Sequence, residues 1–125
     1  MQQLLFIASG GAIGALCRYW VSGYVVNNTD HYLPLGTLVV NVIGSLLMGV
    51  LFVLIMEKSQ ISPEYRPLLM VGLLGAFTTF STFSLETVAL MQEGHIMSAA
   101  IYILLSVIFS IAALYAGMSF TRILF

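Results

Sequence analysis

Charge is what this chain has least of. Of 125 residues, 7% are Asp, Glu, Lys or Arg while 60% are hydrophobic. A soluble domain of that size needs polar side chains over its surface, so the composition excludes a water-soluble fold. A net charge of −1 offers no basic footprint, which excludes nucleic acid as a partner. The single cysteine, Cys17, excludes an intrachain disulfide and a thiolate metal cluster. His31 and His95 stand in different loops without ligand spacing and read as solvated loop side chains. A cleaved leader is not expected either: Met1-Gln2-Gln3 lacks a basic start, and Leu16 before Cys17 spoils a lipoprotein-type cleavage site.

The few charges are clustered, and what lies between them is informative. Residues 35–56, 67–85 and 96–121 carry none, and residues 4–26 carry only Arg18. A helix crosses a hydrocarbon core of about 30 Å with roughly 20 apolar residues. Lipid offers a bare backbone no hydrogen bonds, so such segments must be helical unless protein shields them. The expected fold is an all-α integral membrane protein: one transmembrane domain over residues 1–125, with spans near 4–26, 35–56, 67–90 and 96–121. Polar residues mark the three connections: Asn27 to Asp30 with Pro34, then Glu57, Lys58, Glu64 and Arg66, then Glu93-Gly94. With four spans, Lys58, Arg66 and Arg122 share one side and Arg18 lies nearer the other, a mild positive-inside bias.

Inside the spans, polar and small residues recur at helical spacing. Gly10 and Gly14 form a small-xxx-small face on the first, and Ser45 and Gly49 repeat it on the second. Tight faces of this kind leave little room for a pathway within one subunit, so a homo-oligomer is expected. On the third span, Gly72 and Gly75 precede Thr78-Thr79-Phe80-Ser81-Thr82-Phe83-Ser84. Glycine and β-branched threonine both lower helix propensity. The run is compatible with a helix interrupted near mid-membrane, whose freed carbonyls need a partner such as a cation. It is equally compatible with a continuous helix whose hydroxyls bond back to their own carbonyls. Tyr102, Ser106 and Ser110 lie one turn apart on the fourth span, as do Thr37 and Asn41 on the second. Such hydroxyls serve either as interhelical glue or as a conduit. As a conduit they offer neutral donors, and Phe80 and Phe83 add ring edges, where the aromatic quadrupole is positive. Donors without a central carboxylate suit a small anion, Glu86 lying only near the end of its span.

These motifs resemble the Fluc fluoride channels, also called CrcB, over essentially the whole chain. The matching stretches are Gly10-Gly11-Ala12-Ile13-Gly14 running to Arg18-Tyr19, then Gly36-Thr37 to Asn41 with Gly44-Ser45, and most specifically Gly72-x-x-Gly75-x-x-Thr78 to Ser84. Leu46 stands where the family often has phenylalanine. The resemblance implies an antiparallel, dual-topology homodimer with two pores, in a bacterial plasma (inner) membrane. Its third helices would cross at their breaks, where main-chain carbonyls of Gly75 and Thr78 hold a structural sodium ion (Na+). Fluoride would pass Phe80 and Phe83 with Asn41 beside them, with Ser81, Thr82, Ser84 and Thr37 as further polar partners. Tyr102, Ser106 and Ser110 would make the polar track. The implied role is export of cytoplasmic fluoride, with no enzymatic activity; partners are fluoride, membrane lipid and a second copy. Arg18 and Glu86 are expected at a vestibule or the interface. A small dual-topology multidrug-type exporter is the first alternative, but it needs a glutamate on the first helix where this chain has Arg18. A non-transporting membrane assembly protein is the second, and it has no need of hydroxyl tracks. An intramembrane serine protease needs a histidine within the membrane, and both histidines fall in loops.

Overall fold

The computed structural model describes residues 1–29 and 33–125. Asp30 and His31 of the first connection lie outside the described residues. Helix α1 covers Gln2–Asn27, and α2 covers Leu35–Leu51, continuing as wider π-helical turns over Phe52–Glu57. A 3-10 turn at Pro63–Tyr65 leads into a π-helical segment, Pro67–Leu74, and the short α3, Gly75–Phe77. Helices α4, Phe80–Gln92, and α5, Ile96–Leu124, complete the chain. Grouped by continuity, Gln2–Asn27, Leu35–Glu57, Pro63–Gln92 and Ile96–Leu124 are each long and apolar enough to cross a membrane. Helix ends run slightly beyond the bounds read from charge alone. At one such end Arg122 meets Glu57 through two hydrogen bonds of 2.9 and 2.7 Å, so two charged residues are tolerated inside the last turns.

The helices are apolar nearly all round and largely exposed: Leu4, Trp20, Leu104, Ile111 and Phe120 all stand more than half accessible. That is the surface a hydrocarbon solvent requires. Burial instead follows the small residues. A Cβ on Gly10 would run into the Leu68 carbonyl, and one on Gly14 into the Leu73 carbonyl, so α1 lies backbone-to-backbone on the first half of the third span. Gly49 and Gly117 do the same between α2 and α5, against the carbonyls of Leu114 and Leu46. Where lipid tails are as apolar as leucine, close backbone approach is a main source of helix association.

Two local devices set the direction of the helices around the centre. At the end of α4 the His95 N–H donates to the Leu90 carbonyl (2.8 Å) and the Gly94 N–H to that of Met91 (3.1 Å). This is a Schellman cap, and Gly94 takes the φ of +88° that it requires. The tight reversal lets α5 return beside α4, burying Phe83, Leu90, Ala99 and Tyr102 in a common cluster. The second device lies between α3 and α4.

Candidate functional site

After Phe77 the backbone leaves the helix for two residues: Thr78 has φ −88°, ψ 158° and Thr79 has φ −150°, ψ 122°. Both threonines favour the extended region through their branched side chains. The hydrogen bonds that a continuous helix would have made here are redirected. Thr79 N–H, the helical donor to the Gly75 carbonyl, instead reaches Asn41 Oδ1 at 2.8 Å. Thr82 N–H, the helical donor to the Thr78 carbonyl, instead reaches Thr79 Oγ1 at 3.1 Å, making Thr79 the N-cap of α4. Asn41 Nδ2 closes the pair by donating to the Thr79 carbonyl at 3.0 Å. Thr78 Oγ1 donates to the Leu74 carbonyl (3.0 Å), and Arg18 Nε donates to the Ala76 carbonyl (3.0 Å). Side chains thus claim the carbonyls of Leu74, Ala76 and Thr79, while those of Gly75 and Thr78 lose their helical donors.

A groove of about 420 Å3 opens beside this step. Its polar lining is Asn41, Ser45, Thr78, Thr79, Ser106 and Ser110, with Phe80 and Phe83 forming an aromatic wall and Met48, Ile111 and Leu114 an apolar one. Gly44 brings α2 against the step, since a Cβ there would strike the Thr78 methyl. The ring centroids of Phe80 and Phe83 lie 5.5 Å apart at 52°, and Phe83 stands 5.2 Å from Tyr102 at 49°. These tilted rings do not hide their edges by stacking. Phe83 is buried, whereas Phe80 is 77% exposed and projects from the chain. Ser106 Oγ is buried beside the Tyr102 phenol and makes no hydrogen bond of good geometry among the described residues, an arrangement that normally costs stability. The positive end of the α4 dipole also lies at the groove, because Thr79 and Phe80 line it.

The structure therefore brings together Asn41, Phe80, Phe83, Ser106 and Ser110 of the residues expected from sequence. Tyr102 sits fully buried behind Phe83, and its phenol donates to Glu86 Oε1 at 3.2 Å. Thr37 lies beside the same phenol. Glu86 thus finds its partner on the neighbouring span. Ser84 Oγ turns back to the Phe80 carbonyl at 2.9 Å, and Ser81 is exposed. Ser81, Thr82 and Ser84 do not line the groove; helical rotation turns Ser81 and Thr82 away from Phe80, while Ser84, one turn on from Phe80 and on its face, spends its hydroxyl on the Phe80 carbonyl. Arg18 turns towards the step through its Nε.

Sequence reasoning overlooked Thr79 and Ser45 as lining residues. Thr79 carried a readable signal, a threonine directly before a helical run, the usual N-cap position. Ser45 carried one too, since it stands one turn after Asn41 and continues the Thr37–Asn41 face. Among the described residues no three His, Cys, Asp or Glu side chains gather as a metal site. The arrangement as a whole offers neutral donors, positive ring edges and a helix N-terminus, all of which favour an anion.

The chain matches the family described as CrcB-like protein, Camphor Resistance (CrcB), over residues 5–118. A Hahella chejuensis protein named fluoride-specific ion channel FluC is 48% identical over 122 residues, covering 98% of this chain and 96% of that one. A Shewanella oneidensis protein of the same name is 48% identical over 125 residues, covering 98% of this chain and all (100%) of that one. A Methylococcus capsulatus protein of that name is 49% identical over 120 residues, 96% of this chain but 53% of the longer relative. With four helices able to span a membrane and a match along nearly its whole length, the chain is a multi-pass membrane protein belonging to the CrcB family.

Proposed function

We infer that this protein is a passive fluoride channel and not an enzyme. The observation that carries the reading is the groove beside Thr78 and Thr79, lined by neutral donors and two phenylalanines and free of carboxylates. Relatives named as fluoride channels, similar over almost the full chain, support it. Fluoride is small and tightly hydrated, so a pore must exchange its water for closely spaced donors without binding it too firmly. Asn41 retains one amide N–H after its bond to Thr79, Ser106 and Ser110 continue the line of hydroxyls, and Phe80 and Phe83 present ring edges. Weak donors in series meet both conditions better than a lysine or arginine in the path. Fluoride that entered a cell as neutral HF and ionised there would leave down its gradient through a bacterial inner membrane.

The assembly we propose is an antiparallel, dual-topology homodimer with two pores, its third helices broken near mid-membrane and crossing at the break. Gly75 is exposed and a Cβ there would meet nothing closer than the Met70 carbonyl at 3.7 Å. Phe80 is exposed as well. A second copy laid on this face would close the open side of the groove. Main-chain carbonyls of Gly75 and Thr78 from both copies would hold a structural sodium ion. Their fit to that role rests on the diverted Thr79 and Thr82 amides, which leave both oxygens without helical donors. Bound there, sodium would neutralise carbonyl dipoles that otherwise converge in a water-poor interior.

Reconstitution tests the function. Liposomes loaded with fluoride and holding the purified protein should release fluoride while retaining chloride. Retention of both ions by an intact dimer refutes the channel reading. Labelling a tagged N-terminus from each side should find two populations, and one uniform orientation refutes dual topology alone.

A further inference from the structure

Arg18 is the one charge within residues 4–26, and a charge in a spanning helix is costly enough to need a task. Its side chain is half-buried, and its Nε donates to the Ala76 carbonyl at 3.0 Å. Ala76 sits in the last turn of α3, immediately before the two extended residues. One helical turn before Arg18 is Gly14, where any Cβ would collide with the Leu73 carbonyl and approach the Ala76 Cβ to 3.2 Å. The glycine brings α1 close enough for the arginine to reach the end of α3. The bond also falls on the carbonyl lying between Gly75 and the step itself.

We propose that Arg18 is the positioning residue of the cation site: its Nε–H caps the Ala76 carbonyl and so leaves the Gly75 and Thr78 carbonyls as the pair presented to sodium. This rests on the sodium reading above. A guanidinium suits the task because it stays protonated and holds its donors in a fixed plane. Without the cap, Ala76 gains an unpaired oxygen that competes for the ion or turns the end of α3 away. The effective agent is the donor at Nε, not the net charge, and the two are separable. In glutamine, Nε2 lies as many bonds from the backbone as arginine Nε. In lysine that position is a carbon and the charge lies one atom further out. In methionine neither donor nor charge remains.

The test is the thermal midpoint of the purified dimer, titrated with sodium chloride against N-methylglucamine chloride. Fluoride efflux is read alongside it. Wild type should gain stability with sodium. Arg18→Met should raise the half-saturating sodium concentration about tenfold or more, the effect of leaving the Ala76 carbonyl without its donor. Arg18→Gln should stay within about threefold of wild type, since the donor is kept, and Arg18→Lys should behave like Arg18→Met. If Arg18→Met keeps the wild-type sodium response, the proposal is overturned. Rescue by Arg18→Lys with failure of Arg18→Gln also overturns it, by making charge the agent. Should wild type itself show no sodium response while still passing fluoride, the sodium reading falls and this proposal falls with it, the channel reading standing.

Discussion

Asn41→Asp is the most revealing single substitution, because it changes one amide nitrogen to oxygen at the junction of the step and the groove. The new carboxylate still accepts from Thr79 N–H, a bond of 2.8 Å with the native amide that becomes charge-assisted. It loses the 3.0 Å bond to the Thr79 carbonyl and puts two oxygens face to face. Losing that bond with a half-buried carbonyl left unpaired costs about 1–3 kcal/mol. A unit negative charge roughly 5 Å from a passing fluoride, at an effective dielectric of about 20, repels it by about 3 kcal/mol. That repulsion corresponds to a fall in flux of about a hundredfold. The assay is initial fluoride efflux per dimer from liposomes, with dimer content measured by size-exclusion chromatography. Asn41→Leu is the control: it removes both bonds to Thr79 without adding charge and should lower dimer stability more than Asn41→Asp does. Wild-type efflux from an intact Asn41→Asp dimer would refute the placement of the anion beside Asn41.

Phe80→Ile should cut efflux severely while leaving the fold unchanged, since the ring is exposed in the single chain and only its positive edge is lost; Phe83→Ile should cut efflux and also lower the thermal midpoint, because it empties space against Tyr102. Ser106→Ala should lower flux mildly and leave stability equal or higher, because a buried hydroxyl that makes no hydrogen bond of good geometry among the described residues costs about 1–3 kcal/mol. A drop in its thermal midpoint would mean that Ser106 is packing glue. Gly75→Val should leave the helices of each chain intact, as measured by circular dichroism, because a Cβ there is unobstructed, but should weaken the dimer by size-exclusion chromatography; an unaffected dimer would move the proposed crossing point elsewhere.

Much of this molecule was legible in residue order. Four helices follow from four charge-poor stretches, because a backbone in lipid has no other way to satisfy itself. The line of Tyr102, Ser106 and Ser110 follows from helical repeat alone, and the structure keeps the three on one side of α5, at or behind the groove. Glycine positions marked close helix approach without naming the partner. That Gly10 and Gly14 serve the third span, and Gly49 and Gly117 the pairing of α2 with α5, is a matter of which backbones meet in space.

What residue order left open was the run from Thr78 to Ser84. A glycine- and threonine-rich stretch is nearly balanced between a continuous helix and an extended step, and local propensities of a few tenths of a kcal/mol cannot separate them. The outcome depends on Asn41, 38 positions away, which gives Thr79 both a donor and an acceptor, and on Arg18, 58 positions from the carbonyl it caps. An amide in an apolar helix announces that it needs partners but not where they are. Likewise, sequence showed Arg18 as a charge in a span and Ser81, Thr82 and Ser84 as hydroxyls like any others. Only the placement of α4 after its cap at Thr79, and the approach of α1 allowed by Gly14, decided that these three hydroxyls stay off the groove and that Arg18 reaches the step.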